Sequence, residues 1–200
     1  DEKHQAKASN VLTKVGADFT KIEFHQILHN RGWMRDSGPM FVKNDETGEV
    51  AVIKFGFNAW AKYDDWKLDN QVALKYAKSN NRNLFEVEYK GKEVVLEWGA
   101  IDVNGEGTIL TTEECLLDYE TQCRNPHLTR EDYEEVFRQN IGAGNTLWLN
   151  KGIVGDDTHG HIDDFCRFTD KKTIVLAEEK NTRDPNHRIL EENRERLEGF

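Results

Sequence analysis

Between residues 40 and 57 the apolar runs MFVKN (40–44) and VAVIKFGF (50–57) flank the polar stretch DETGE (45–49). Short runs rich in Val, Ile and Phe on either side of Asp, Thr and Gly predict two strands and the turn that joins them. The alternation in KIEFHQI (21–27) predicts another strand just upstream. In DNQVALKYAK (69–78), Val72, Leu74 and Tyr76 recur among polar positions and predict a helix. Two hairpins follow, LFEVEYK and EVVLEW about a Gly-Lys turn, then AIDVNGEGTILTTEE about NGEG. LTREDYEEVFRQN (128–140) predicts a helix opened by a capping box, with Thr129 three residues before Asp132. Strands return at NTLWL and KTIVLAEE, and HRILEENRERLEGF predicts a charged helix at the end. This repeated strand, strand, helix order describes an α/β or α+β unit, but periodicity alone does not say how the groups close.

Only 3 prolines and no Ser/Gly-rich linker occur, so residues 1–200 read as a single domain. A hydrophobic content of 37% is enough for an ordinary core. The 37 Asp and Glu against 27 Lys and Arg leave a net charge of −10, and no basic run offers a phosphate-binding face, so nucleic acid is not expected as a partner. A small cationic molecule suits this charge better. No membrane span or signal-peptide centre is apparent. Cys115, Cys123 and Cys166 lack paired zinc-site spacing and are expected as free thiols of a reducing, cytoplasmic compartment.

The densest chemistry lies in GDDTHGHIDDFCRF (155–168), where His159 and His161 sit among Asp156, Asp157, Asp163 and Asp164. Clustered carboxylates repel one another and raise each other's pKa, so packing alone explains them poorly. THGHIDD agrees at six of seven positions with the zinc loop of metallo-β-lactamase-type hydrolases, T-H-x-H-x-D-H. The seventh position is Asp164 instead of His, and GDD replaces the apolar strand that should lead into the loop. In HNRGWMRDSGPMF (29–41), the turn residues Ser37, Gly38 and Pro39 place Asp36 on a loop. The plain alternative is an Arg35–Asp36 surface pair with Trp33 in the core. The aromatics of FGFNAWAKYDDW (55–66) are expected in the core, and Glu97 closes an apolar strand beside Gly99.

WMRDSGP, FNAWAKYDDWKLD, LEWGAIDVNGEGTILTTEECL and GIVGDDTHGHIDDFCRF together resemble the agmatine deiminases and bacterial peptidyl-arginine deiminases of the pentein superfamily. The resemblance covers most of residues 24–168 and implies part of a five-bladed α/β propeller of ββαβ units around a central cleft. It implies that Asp36 and Asp163 grip a guanidinium, that His161 transfers a proton, and that Trp33, Glu97 and Asp157 line the pocket, with His159 and Asp164 in support. No cofactor or metal is called for. Planar guanidinium recognition by carboxylates agrees with these residue types. One departure is Glu97-Trp98-Gly99 where the family reads Glu-Gly-Gly, so that Trp98 is expected to narrow the pocket or to push Glu97 aside.

The family's nucleophilic cysteine lies in a C-terminal motif, and none of Cys115, Cys123 or Cys166 occupies such a motif. The chain therefore reads as the central portion of the catalytic domain, without the N-terminal segment or the nucleophile motif. The implied reaction converts agmatine and water to N-carbamoylputrescine and ammonia, in putrescine biosynthesis. Peptidyl-arginine is the nearest alternative substrate. A non-catalytic guanidinium-binding protein and a metallohydrolase are the readings from other classes. A propeller cut open would also expose sheet edges, which favours self-association, including a homo-oligomer.

Overall fold

A computed structural model describes residues 1–200. The first helix, α1 (Glu2–Lys14), carries few apolar residues, buries none, and is capped by the Asp1 carboxylate. After it, residues 22–29 run without regular structure, contrary to the strand expected at 21–27. No neighbouring strand offers them a ladder, and His25 packs edge-on against Tyr76 instead. A one-turn helix, α2 (Met34–Ser37), follows where a loop was expected.

Strands β1 (Met40–Lys43) and β2 (Val50–Lys54) pair antiparallel, with Met40 opposite Ile53. Helix α3 (Val72–Ser79) then carries the chain back, and β3 (Leu84–Glu86) pairs parallel to β2, with Val52 opposite Leu84. Parallel neighbours need such a crossover, and β2, buried from Ala51 to Lys54, is the central strand of the three. The expected long hairpin at 84–98 therefore shrinks to β4 (Glu88–Tyr89) and β5 (Lys92–Glu93), because Leu84–Glu86 takes β2 as its partner.

The pattern repeats. β6 (Asp102–Val103) and β7 (Thr108–Thr112) are antiparallel. The short α4 (Glu113–Leu117) and the longer α5 (Arg130–Ile141) cross over to β8 (Asn145–Leu149), parallel to β7. Helix α5 has the predicted Thr129–Asp132 capping box and ends at Gly142, whose φ of 74° suits a residue without a side chain. β9 (Cys166–Phe168), β10 (Ile174–Leu176) and α6 (Pro185–Glu198) then repeat the first three elements of the pattern. Two ββαβ units and a ββα segment are thus present, as expected of part of a pentein fold, and each sheet is open.

One cluster, including Ile53, Phe55, Leu96, Ile109, Tyr133, Phe137 and Trp148, joins the two ββαβ units. A second cluster, with Leu110, Leu149, Ile162, Phe165 and Leu190, joins the second unit to the ββα segment. Burying each large apolar side chain contributes about 1.5–3 kcal/mol, so these shared clusters hold the units in a fixed relation. No helix is long and apolar enough to cross a membrane.

Candidate active site

The segments between the units, rather than the strands, carry the titratable residues. Asp36 sits on α2, whose tight exit demands Gly38, since a Cβ there would lie 2.3 Å from the Met34 carbonyl oxygen. Glu97 directly precedes the turn Trp98–Ala100. His161 starts the turn Ile162–Asp164, at the end of a loop shaped by Asp156. The Asp156 carboxylate accepts the backbone N–H groups of Thr158, Gly160 and His161, and these bonds hold its own pKa down against burial.

His161 is the centre of the arrangement. Its Nδ1 lies 3.8 Å from Asp36 Oδ1 and 3.9 Å from Asp163 Oδ1, and its Nε2 lies 3.8 Å from Glu97 Oε2. Packing is so close that a Cβ on Gly99 would stand 2.6 Å from both Asp36 Oδ1 and His161 Nδ1. Only glycine fits at Gly99. Glu97 and Arg124 form an ion pair at 3.2 Å with both side chains fully buried. Arg124 also donates to the Gln122 and Thr158 carbonyls, tying Glu97 to the 155–161 loop.

These contacts separate the titrations. Burial pushes Asp36 up to about 6, with the nearby His161 opposing and Glu97 and Asp163 reinforcing the rise. Burial also acts on Glu97, but Arg124 and His161 overcome it and hold the carboxyl down at about 2. For His161 burial favours the neutral ring, and the adjacent Glu97 and Asp36 outweigh it, so the imidazolium persists above its usual range.

The cleft over His161 has a volume of about 320 Å³ and is lined by Arg31, Trp33, Arg35, Asp36, Trp60, Asp156, Asp157, Asp163 and Asp164, among others. A larger groove of about 490 Å³ lies beside α1, but its lining does not include these converging acids. Trp33 is 60% exposed at the cleft rim, not in the core. Asp157 is also at the rim, exposed, and accepts from Lys62 Nζ at 2.6 Å and Tyr63 Oη at 2.9 Å. The Asp164 carboxyl, pushed up to about 6 by partial burial and by Asp156 and Asp163, completes this acidic side. His159 turns elsewhere, pairing with Asp118 at 2.8 Å.

One alternative and one expectation fall, and a further expectation is extended. Arg35 pairs with Asp163 at 3.2 Å rather than with Asp36, because α2 directs neighbouring side chains to different faces. Trp98 leaves the site alone: it packs on the main core and lines a separate groove with Phe41 and Ile141, so Glu97 keeps its place. Trp60, read only as core, is buried but also donates to Asp36 Oδ2 at 3.3 Å. Arg124 and Gly99 were missed as functional neighbours; an arginine 27 residues from its glutamate leaves no local signal.

Glu97, Cys115 and His161 are the one group of possible metal ligands, with donor atoms within 4.8 Å of one another. Arg124 and the His161 imidazolium already supply positive charge on two sides of Glu97, which disfavours a metal cation there. The Cys115 and Cys166 thiols are buried and pushed up to about 12, and the half-buried Cys123 thiol is also raised by burial. None of the three is poised as a thiolate.

Repeated ββαβ units with a carboxylate-lined, histidine-centred cleft at their junction define a pentein-type scaffold. Residues 1–200 match the Porphyromonas-type peptidyl-arginine deiminase family, and the chain belongs to that family. It is 39% identical over 175 residues to an agmatine deiminase of Pseudomonas fluorescens, covering 85% of this chain and 45% of the relative. An agmatine deiminase of Pseudomonas aeruginosa is 37% identical over 190 residues, covering 89% and 50%. The chain thus spans about half the length of the curated relatives it matches. Among solved structures, a C. jejuni agmatine deiminase carrying a cysteine-to-serine substitution, with substrate bound, superposes with a TM-score of 0.80 at 33% identity, covering 91% of this chain and 52% of that one. The agmatine deiminase of Enterococcus faecalis gives 0.79 at 31% identity, covering 88% and 47%.

Proposed function

We propose that these 200 residues form part of the catalytic domain of an agmatine deiminase, which hydrolyses agmatine to N-carbamoylputrescine and ammonia. The observation that carries this reading is the placement of Asp36 Oδ1 and Asp163 Oδ1 at 3.8 and 3.9 Å from one nitrogen of the buried His161. Two carboxylate oxygens beside one proton donor suit a planar cation whose N–H groups point along several edges. Asp36 and Asp163 grip the guanidinium, Trp33 and Asp157 shape the entrance, and Glu97 keeps His161 charged.

A thiolate then adds to the guanidinium carbon, and His161 protonates the departing ammonia. Water hydrolyses the resulting thiouronium, which releases the ureido product and returns the thiol. With the three thiols of this stretch held protonated, the nucleophile comes from the remainder of the enzyme. That the C. jejuni relative was captured with substrate in a cysteine-to-serine form supports a thiol step. The free thiols suit a cytoplasmic enzyme, and the net charge of −10 suits a small cation rather than nucleic acid as its ligand. Open sheet edges leave room for a homo-oligomer.

The family match favours peptidyl-arginine as the competing substrate. The test is ureido-product formation by the protein that the full gene encodes, from agmatine beside an arginine-containing peptide, in wild type and Asp36→Asn. Agmatine is expected to be the better substrate, with kcat/KM reduced about 100-fold or more in the variant. Preference for the peptide, or no ureido product from either, overturns the assignment.

A further inference from the structure

Arg35 and Asp36 are neighbours on α2, yet they serve opposite sides of the cleft. Asp36 turns inward: Oδ2 accepts from Trp60 Nε1 at 3.3 Å, while Oδ1 is buried with no hydrogen-bond partner. Arg35 reaches across and donates from Nε to Asp163 Oδ2 at 3.2 Å, a contact between residues 128 apart in sequence. One oxygen of each carboxylate is thereby held by a donor of the chain itself. The other oxygen of each faces His161 Nδ1, at 3.8 and 3.9 Å.

The mode of contact distinguishes two roles for Arg35. A protein guanidinium standing in for the ligand would meet the carboxylate through a two-pronged fork. Arg35 instead makes a single bond through Nε, from the side, and leaves Asp163 Oδ1 unengaged by it. The side chains of Arg35 and Asp163 are 36% and 19% exposed, so the pair adds little to stability, and its value is geometric.

We propose that Arg35 is a positioning residue: it braces α2 against the turn carrying Asp163, fixing the separation and rotation of the Asp36–Asp163 clamp, while Trp60 fixes the Asp36 half. The proposal rests on the guanidinium reading given above. A carboxylate pair serves a planar cation only if both acceptors stay within about 0.5 Å of the productive geometry. A brace from the residue adjacent to Asp36 sets both acceptors from one short helix. Lysine cannot replace it, since an ammonium on a flexible stem lacks the planar, directed Nε–H.

The experiment compares wild type, Arg35→Lys and Arg35→Gln in the protein that the full gene encodes, measuring KM and kcat for agmatine, thermal midpoint, and the crystal structure of each variant. Both variants are expected to raise KM about tenfold or more with kcat within about threefold, the pattern of lost ground-state and transition-state binding together. Thermal midpoints should stay within a few degrees, and Asp163 should rotate away from its present orientation. Restoration of KM by lysine would reduce Arg35 to a charge and overturn the brace. So would an unmoved Asp163 in Arg35→Gln, whatever the kinetics. If wild type neither binds nor turns over agmatine, the agmatine assignment fails; the brace then stands or falls on the Asp163 orientation in Arg35→Gln alone.

Discussion

Glu97 sits between a permanent cation, Arg124, and a titratable one, His161, with no solvent reaching either member of the Glu97–Arg124 pair. Replacing it by Gln leaves Arg124 buried without a counter-charge, which should cost about 3–5 kcal/mol in chemical denaturation. The acids on either side of His161 respond to pH in opposite senses. Because the folded Glu97 carboxyl is held down at about 2, its contribution is complete above its ordinary value near 4.5 and is lost as pH falls through about 2. Asp36 is raised to about 6, so it opposes folding as pH climbs from 3.8 through about 6. A guanidinium ligand reverses that second cost by pairing with the ionised Asp36. Agmatine affinity, measured by calorimetry, should therefore strengthen as pH rises through about 6; an affinity unchanged across that range would remove Asp36 from the clamp.

Among the elements, the turn that positions Trp60 is the strained one. Ala59, Trp60 and Ala61 have φ of 51°, 60° and 51°, three successive left-handed residues without a glycine. This conformation costs about 1–2 kcal/mol per residue that bears a side chain. Ala59 is completely buried, whereas Ala61 is only half-buried, so removing the Ala61 methyl loses little packing. Ala61→Gly should raise stability by up to about 1 kcal/mol, and a loss of stability would show that its methyl packs more than its exposure suggests. The strain was invisible in the sequence, where Trp60 belonged to an aromatic run. Elements with a local cause were legible: the Thr129–Asp132 box starts α5, and the β1–β2 pair forms around residues 45–49. Where the choice of partner decides, alternation failed. Residues 84–86 alternate like a hairpin arm, but their ladder is parallel to β2, and 21–27 alternate with no strand beside them. Helix α1, with Ala6, Ala8, Val11 and Leu12 as its only apolar positions and no buried residue, offered too few to read as a core-facing helix. In the site, residue types and family motifs pointed to the acids and His161, whereas Arg124 and the Arg35–Asp163 contact exist only through folding.

At the scale of the molecule, polar bonds at both of its ends fasten the ββα segment to the second unit, Asp102 holding the Phe168 N–H and Arg167 on one side and α6 holding residues 148–154 on the other. Buried Asn193 on α6 accepts from the Asn150 N–H and donates to the Lys151 carbonyl, both at 2.8 Å. Asn193→Ala leaves those backbone groups unpaired and should cost about 2–3 kcal/mol. In hydrogen exchange, α6 and the β8 end should lose protection first, with β1, β2 and α3 little changed, because the loosened contacts do not reach the first unit. Uniform loss across all three regions would mean that the chain opens only as a whole.

The 128-residue span from Arg35 to Asp163 also sets an order of events on the ribosome. At about 5–20 residues per second, roughly ten seconds separate their synthesis. Asp36 and Glu97 emerge long before the loop that bears His161. Arg124 follows Glu97 by only 27 residues and lies ahead of that loop, so the acid buried deepest can be neutralised while translation continues. Asp36 has no such early counter-ion, and its burial, opposed by the nearby His161, comes only once the histidine has been made. Within residues 1–200, the loop that bears His161 thus joins the cleft after the two ββαβ units that support it have been made.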